Sequence, residues 1–516
     1  MMTRSLAAMT VLAHFSLMVV ATAGAQQPPA STGSVVQLTM AQAEAMALES
    51  NLQLKIDRLD PVVAAENLAS ARSVFNPTLG SNFSRGSSQS PSGSVFEGGG
   101  TVNSTSLSMG TNVRQQLPWF GGNYQLSWDA SRSETSQLGA SFNPRLSAGL
   151  RFNFTQPLLA GFKVDGQRLQ VDTARRNQSI ADVQLDERII TTRVQAQLAY
   201  LALVSAIRQR EVSQQNLDLA RQQLKDNQAR VEVGTMAPID IIEAEAEVAS
   251  REEGVIRADA SIATAEDSLR ALILDPGRAD YWQVRFEPTE TISLQERAIN
   301  IAGAIETAMR ERTDLIVARS QMEITDLGMK ATKNSTLPTA NLTFQYSASG
   351  TGGTQNFYNN SKFPPVLDRT LARGFGAVVG DSFTNNLPTW SVGVNVSYPI
   401  GKSSTEANLA RQQIQRQQQE TSLRALELRV VTSVRTVGRE LETNYKRVQV
   451  TQLARERAQR QLEAEEKRFA VGLSGTFTLQ SRQRDLATAR INELNATIDY
   501  NRSLIQFDAI QKAPVR

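Results

Sequence analysis

The sequence predicts a mixed α+β membrane protein, in which amphipathic strands contribute to a transmembrane β-barrel and very long antiparallel helices extend from it. Three observations predict this fold class: a duplicated order of elements, strands that alternate apolar with small polar residues, and proline-free helical stretches of about 65 residues. Few physical settings accommodate such strands and such helices within one repeating unit.

The chain contains an internal repeat, and each copy runs helix, strands, long helix, tight turn, helix. Ala47-Leu48 recurs as Ala308-Met309, and Pro77-Thr78 recurs as Pro338-Thr339, both at a shift of about 261 residues. Near the turn the shift falls to about 238, because the first copy carries extra residues between strand and turn. We therefore predict a first repeat over 26–270, a linker over 271–300, a second repeat over 301–510 and a C-terminal tail over 511–516.

Residues 1–25 have the features of a cleaved secretory signal peptide. Arg4 supplies the basic start, Leu6 to Val20 the apolar run, and Ala23-Gly24-Ala25 the small-residue cleavage site. A membrane anchor is the alternative, but the run is too short to span a bilayer comfortably. The only histidine, His14, lies in this signal and the chain has no cysteine. The mature chain would therefore lack disulfides, a lipoprotein anchor, and Cys or His metal sites.

The charge balance and residue inventory argue against two classes of function. The chain has 54 basic and 51 acidic residues, which gives no reason to expect a nucleic-acid partner. It has no histidine base, cysteine nucleophile or P-loop pattern, and Glu243, Glu245 and Glu247 alternate along a helix rather than sharing one face. We predict that the protein is not an enzyme and has no cofactor, while a site built from carboxylates alone is left open.

Period-two alternation predicts six long strands. In 146–155 one face reads Leu, Ala, Leu, Phe, Phe and the other Ser, Gly, Arg, Asn, Thr; 391–398 alternates in the same way. A soluble sheet with one solvated face would alternate similarly. The small polar residues, the segment lengths and the aromatics near strand ends favour a transmembrane barrel. The strands are predicted near 78–85, 104–116, 122–133, 145–156, 339–348 and 389–398.

The connections between these strands are unequal in length. The Gly/Ser/Asn-rich stretches 86–103 and 347–388 are predicted to be long loops, whereas 117–122 is a tight turn. Short turns on one side and long loops on the other are typical of outer-membrane barrels. About eight strands are the lower limit for a barrel with an interior. Any barrel must therefore be shared between several chains.

Two very long helices follow the strands, one in each repeat. The second runs from about Ser404 to Phe469, and each turns at a glycine, Gly234 or Gly472, then returns over 238–274 or 478–510. Helices of roughly 100 Å require sustained side-by-side packing. The alternatives are a stalk without a channel and the wall of a water-filled tube. The predicted barrel favours the tube, because the two together make one conduit.

Several short motifs, duplicated and in fixed order, carry a family resemblance. They are Phe75-Asn76-Pro77; Gln156-Pro157-Leu158-Leu159 with Gly161; Tyr398-Pro399-Ile400-Gly401; Arg230-Val231-Glu232-Val233-Gly234 before Pro238 to Ala244; and Arg468-Phe469-Ala470-Val471-Gly472 before Phe477-Thr478-Leu479. Each is weak alone, but their order, duplication and spacing over 38–510 resemble the TolC-like outer-membrane efflux protein family.

The resemblance implies a homotrimer with a shared barrel in the outer membrane of a Gram-negative bacterium, surrounded by outer-membrane lipid, and a helical tunnel in the periplasm. It implies an exit duct for an inner-membrane RND or ABC transporter with a periplasmic adaptor (membrane fusion) protein, in tripartite efflux or type I secretion. A barrel-anchored coiled-coil stalk or adhesin is the alternative. The glycine turns favour the duct, because a stalk usually continues in one direction.

One departure from the family concerns barrel size. Family members commonly have two strands in each repeat, whereas the first repeat here has four predicted strands. Three chains would then supply about 18 strands rather than 12, if the extra pair inserts in the barrel. The extra pair could instead fold outside the barrel.

A second departure concerns the tip, where the resemblance places the closure of the tunnel. Asp240 matches the acid of the family's gate, but the tyrosine and arginine positions hold Phe469 and Ser474, so a weaker or apolar contact is expected. Asp240 equally suits a structural role, because the helix dipole stabilises an acid in a first turn. The candidate tip residues are Gly234, Asp240, Phe469, Gly472 and Ser474, and the candidate barrel-to-helix passage residues are Pro157, Gly161, Pro399 and Gly401.

Overall fold

The computed structural model of the chain describes residues 35–93, 100–290, 297–359, 366–384, 387–401 and 403–514. The predicted signal peptide, His14 and part of the predicted linker lie outside these ranges. Within them, no helix combines the length and apolar character needed to cross a membrane.

The elements alternate in two similar series, as the internal repeat predicts. The first is β1 (Val35–Leu38), α1 (Met40–Ser50), α2 (Leu52–Asp57), α3 (Asp60–Ser73), β2 (Thr78–Pro91), β3 (Thr101–Gln116), β4 (Asn123–Thr135), β5 (Phe142–Pro157), α4 (Gly166–Glu232) and α5 (Ile239–Ile273). The second is β6 (Arg285–Pro288), α6 (Ile301–Glu311), α7 (Thr313–Ser335), β7 (Thr339–Asn359), β8 (Val366–Arg373), α8 (Phe375–Thr384), β9 (Pro388–Ser397), α9 (Ser404–Ala470) and α10 (Thr476–Ile510).

Seven of the described strands form one antiparallel sheet in the order β2-β3-β4-β5-β7. Strand β7 then pairs with β9 along its first half and with β8 along its second half. The four strands predicted in the first repeat are confirmed, and all four lie in this sheet rather than outside it. Among the described strands the sheet stays open, with β2 at one edge and with β9 and β8 sharing the other edge beside β7.

The prediction of only two strands and a long loop in the second repeat is wrong. Strand β7 runs for 21 residues, and β8 and α8 follow it inside the predicted loop. The loop prediction rested on a glycine-rich run, but Gly350 lies in β7 where α8 packs. A Cβ on Gly350 would come 2.3 Å from the carbonyl oxygen of Val378. The glycines therefore mark a close helix–sheet approach. Likewise, β2 and β3 extend into the predicted loop 86–103.

The sheet has one apolar and one polar face, because residues paired across antiparallel strands share a face. The apolar face contains Leu79, Phe83, Met109, Val113, Leu126, Trp128, Ala130, Ala148, Leu150, Phe152, Phe154, Leu342, Phe344, Tyr346, Val392, Val394 and Val396. The polar face carries serine pairs such as Ser131–Ser147, whose hydroxyl oxygens are 2.8 Å apart. Along β7 the apolar face spans eleven residues, from Ala340 to Gly350, which is about 25 Å of height when the strand is tilted.

The long helices form two antiparallel pairs, α4 with α5 and α9 with α10, and α10 also packs against α4. Helices α4 and α9 each have 67 residues, equivalent to about 100 Å. At the end of α5 nearest the linker, β1 and β6 pair in parallel. The Tyr200 hydroxyl donates to the Leu38 carbonyl at 3.2 Å there. Burial raises the pKa of Tyr200, so its hydroxyl stays protonated and able to donate.

Candidate functional site

The first tip lies between α4 and α5 and is built on a glycine. Gly234 has φ +76°, a conformation that glycine adopts without steric cost. Its N–H donates to the carbonyl of Val231 at 3.0 Å, and the N–H of Thr235 donates to the carbonyl of Arg230 at 2.9 Å. This is the Schellman arrangement, which satisfies the last carbonyls of a helix. The sequence prediction of a helix that turns at Gly234 is confirmed.

The second tip, between α9 and α10, repeats this geometry. Gly472 has φ +75°, and its N–H donates to the carbonyl of Phe469 at 3.1 Å. The N–H of Leu473 donates to the carbonyl of Arg468 at 2.9 Å. No other atom lies within 4 Å of a Cβ built on Gly234 or Gly472, so the backbone conformation alone requires glycine at both positions.

Phe469 joins the two tips. Its side chain is buried, and the guanidinium carbon of Arg230 lies 4.3 Å from the centre of its ring. Arg230 belongs to the first repeat and Phe469 to the second, so this cation–π contact crosses between repeats. The apolar cluster around the ring contains Ala458, Leu462, Leu479 and Leu486, with Met236 and Ala489 at its margin.

The remaining tip candidates do not meet at Phe469. Asp240 lies in the first turn of α5, and its carboxylate makes no hydrogen bond or ion pair within the described ranges. Its backbone carbonyl accepts from Nδ2 of the buried Asn227 at 3.3 Å. Ser474 donates to the buried carboxylate of Glu465 in its own repeat. The structure therefore brings together Phe469 and Arg230, and leaves Asp240 and Ser474 with separate surroundings.

Two further contacts hold the repeats together above the tips. Nη1 of Arg484 on α10 lies 3.6 Å from Oε2 of Glu247 on α5. Nη1 of Arg490 donates to Oε1 of Gln215 on α4 at 3.3 Å. No pattern in the sequence marks Arg230, Arg484 or Arg490 as residues that contact the other repeat. Arg230 stands in the tip motif, but nothing in a single sequence indicates which distant residue it contacts.

The barrel-to-helix passage of the first repeat is tightly held. Pro157 ends β5, and Gly161, with φ +89°, donates its N–H to Oδ1 of Asn334 at 2.7 Å. The Gly161 carbonyl accepts from Nη2 of Arg168 at 2.9 Å. Asp165 caps α4 by accepting the Arg168 N–H at 2.8 Å, and its carboxylate pairs with Nε of Arg168 at 2.6 Å. Asn334 lies at the end of α7, so the second repeat supports this passage.

The passage of the second repeat is open by comparison. Pro399 and Gly401 follow β9, and Gly401 has φ +99° with no atom within 4 Å of a built Cβ. Ser403 caps α9 in a capping box with Glu406. The side chain between the two candidates, Ile400, is fully exposed. Among the described residues, no contact equivalent to that of Asn334 supports this passage.

The contacts at these sites are packing contacts, hydrogen bonds and ion pairs. Among the residues that the structure describes, no three His, Cys, Asp or Glu side chains come together as a potential metal site. The contacts between the repeats near the tips include one cation–π pair, one long ion pair, one hydrogen bond to an amide oxygen, and the packing of Met236 on the cluster around Phe469. Each such contact contributes little individually. The arrangement holds four helix ends together through contacts between side chains.

Comparisons with known proteins relate this architecture to membrane channels. The model of the outer membrane efflux protein family matches residues 116–273 and 304–510, one segment in each repeat. No curated protein sequence matches the chain significantly.

Solved structures match along nearly the whole chain. The Campylobacter jejuni CmeC outer membrane channel is 13% identical, with a TM-score of 0.65 over 92% of this chain and 85% of its own. Vibrio cholerae VceC is 15% identical, with a TM-score of 0.62 over 92% and 96%. The open state of the Neisseria gonorrhoeae MtrE channel is 15% identical, with a TM-score of 0.61 over 92% and 89%. At these identities the structural matches show a shared fold.

Proposed function

Because the chain belongs to the outer membrane efflux protein family, we propose that it is the passive exit duct of a tripartite efflux or type I secretion system. The observation that carries this proposal is the join between sheet and helices. A sheet with an apolar face about 25 Å tall leads, through Pro157 and Gly161, into helices about 100 Å long. Barrel and tunnel are thus segments of one conduit, and an inner-membrane pump supplies the energy for transport.

The repeat symmetry supports a ring of several chains. Helix α4 of the first repeat packs against α7 and α10 of the second. By symmetry α9 should pack against α3 and α5, yet within the described part of one chain it has no comparable contact with either. These faces expose apolar side chains, namely Val62, Val63, Ile242, Ile256, Ile414, Leu428, Val450 and Leu453. A second copy supplies the missing partner, and such a head-to-tail contact generates a closed ring.

Three chains close this ring in our proposal, as the family resemblance implies. Each chain brings β2, β3, β4, β5, β7 and β9 across the apolar band. The outer edges of β2 and β9 have no partner strand within the described part of the chain. A barrel has no free edges, so β9 of one copy pairs with β2 of the next. The shared barrel then has 18 strands, because the extra pair of the first repeat lies in the same sheet.

The tips are the proposed docking surface for a periplasmic adaptor protein, which links the duct to an RND or ABC transporter. Apolar side chains at the tips are exposed rather than packed, including Val233, Val471, Leu473 and Phe477. A photo-crosslinker at Val233 or Val471 is expected to capture an adaptor in cells. Capture of partners only from crosslinkers placed on the barrel would contradict docking at the tip.

Planar-bilayer recording of the purified protein tests the duct itself. We expect small or rare conductance steps from the wild type, and larger ones after Arg230→Glu with Arg484→Glu, which removes two inter-repeat contacts and sets an acid against Glu247. A variant that trimerises, inserts and still passes no current would favour the alternative, a barrel-anchored stalk or adhesin.

A further inference from the structure

Helix α8 occupies an unexpected place on the sheet. It packs on the apolar face over β5 and β7, where Val378 is fully buried against Ala130 and Ala148. Gly350 and Gly352 of β7 lie directly beneath it, and a Cβ on either would collide with Val378. Gly350 and Gly352 lie on the same face of the sheet as Phe152 and Phe344, which are nearer to the long helices. Helix α8 therefore covers the same surface that faces lipid in the proposed barrel.

The surface that α8 turns away from the sheet carries no charge. Its exposed residues are Phe375, Gly376, Ala377, Phe383 and Thr384. The single charged side chain of the helix, Asp381, is buried and paired with Arg373, whose Nη1 lies 2.6 Å from its Oδ2. A helix on a water-facing loop normally carries its charges outward. Helix α8 has the opposite arrangement, with apolar residues on both sides and its charge neutralised internally.

We propose that α8 is a membrane-embedded helix on the outside of the barrel, with the acyl chains of the outer membrane as its partner. The proposal rests on the proposed function, because it requires the apolar face of the sheet to point outward. A helix pairs more of its backbone groups internally than an irregular loop does, and so tolerates hydrocarbon better. Helix α8 lies at the end of the sheet opposite the long helices, and therefore in the outer leaflet.

The absence of cysteine from the chain allows a direct test with single labels. Phe383→Cys and Ala377→Cys each place one nitroxide on the exposed surface of α8 in the full-length protein, reconstituted in phospholipid vesicles. Val394→Cys, on the apolar face of β9, serves as the barrel control, and Phe477→Cys at the tip serves as the water control. Power-saturation measurements then compare collision with oxygen, which concentrates in hydrocarbon, and with a water-soluble nickel chelate.

We expect both α8 labels to match the Val394 position, with high oxygen and low nickel accessibility, and to differ from the Phe477 position. Nickel accessibility of both α8 labels equal to that at Phe477, while the Val394 position remains in lipid, would overturn the α8 proposal and leave the barrel intact. Water exposure at Val394 as well would instead contradict the outward orientation of the apolar face, and with it the proposed barrel.

Discussion

Phe469 determines how the two tips are held together. A phenylalanine ring has no hydroxyl, so it makes no hydrogen bond to an acid such as Asp240. It offers the face of the ring instead, and Arg230 occupies that face at 4.3 Å. The tip glycines, Gly234 and Gly472, could be predicted from the sequence, because a left-handed residue at a helix end favours glycine locally. The Arg230 contact could not, because it joins residues from two different repeats.

Arg230→Met tests the contribution of this contact to closure. Methionine retains most of the packing over the ring but loses the charge, which contributes about 0.5–1 kcal/mol at an exposed site. If the contact holds the tip closed, the ratio of open to closed time rises about two- to fivefold. Single-channel recording in planar bilayers measures this ratio directly.

Arg221→Met is the matched control for this prediction. Arg221 lies on the same helix and pairs with Glu252 at 2.7 Å, entirely within the first repeat. The substitution removes an exposed ion pair but no contact between repeats, so the open-to-closed ratio should stay unchanged. An equal rise in both variants would show that net charge, rather than the Phe469 contact, controls opening.

Gly234→Ala and Gly472→Ala test the conformational requirement at the tips. Both positions have positive φ and open space around a Cβ, so the cost is that of holding alanine in a left-handed conformation, about 1 kcal/mol. We expect lower resistance to thermal loss of the helical circular-dichroism signal. Gly254→Ala, inside α5 and also in open space, should raise it instead, since alanine favours a helix interior. The same direction of change in all three variants would contradict this explanation.

At the scale of elements, the sequence pattern predicted helices and strands correctly where a single periodicity continued without interruption. Strands β4 and β5 alternate cleanly, β3 does so less cleanly, and α4 and α9 lack proline, so their types and approximate bounds could be predicted. Strand β8 and helix α8 could not, because Gly350 and its glycine neighbours are typical of a loop. Gly350 and Gly352 are small because α8 packs on them, and this contact cannot be predicted until the position of α8 is known.

Gly350→Ala is expected to lift α8 from the sheet. The new methyl group would lie 2.3 Å from the Val378 carbonyl oxygen and 2.7 Å from Cβ of Asp381, so the helix must shift. Trp128 packs beneath α8 and should then become accessible. Stronger quenching of tryptophan fluorescence by acyl-brominated lipid would report the movement.

Gly393→Ala provides the comparison in a neighbouring strand. Its Cβ would meet only the Thr343 hydroxyl, at 3.4 Å, so the sheet accommodates it with little movement. Tryptophan quenching in this variant should equal that of the wild type. Unchanged quenching in Gly350→Ala as well would mean that α8 does not rest on β7 in the membrane.

At the scale of the whole molecule, the repeat also predicts how neighbouring chains pair. Within one chain β5 pairs with β7, and Phe154 lies opposite Phe344. The repeat relates β7 to β2 and β5 to β9, with Pro157 matching Pro399. The same pairing between two chains therefore sets Val396 of β9 opposite Phe83 of β2.

Phe83→Cys combined with Val396→Cys tests this register. Both side chains are exposed in one chain, and no native cysteine competes. Mild oxidation in membranes should give covalent dimers and trimers of the chain on denaturing gels. Each single variant should remain monomeric, and Phe83→Cys with Val392→Cys, displaced along the strand, should crosslink much less. Equal crosslinking of the Val396 and Val392 pairs, or products no larger than dimers, would contradict the proposed ring.

The pairing of Val396 with Phe83 also determines how far the strands tilt from the barrel axis. Val396 lies level with Ala340 of β7, whereas Phe83 is level, through the intervening strands, with Gly350. Closing the ring therefore slides the hydrogen-bond register by ten residues per chain. For 18 strands this slide inclines each strand by about 50° to the barrel axis. A strand so inclined needs about 12 residues to cross 25 Å of hydrocarbon. Strands β2, β3, β4 and β5, with 14, 16, 13 and 16 residues, are long enough for that more tilted path, whereas β9, with ten residues, falls about two residues short of it.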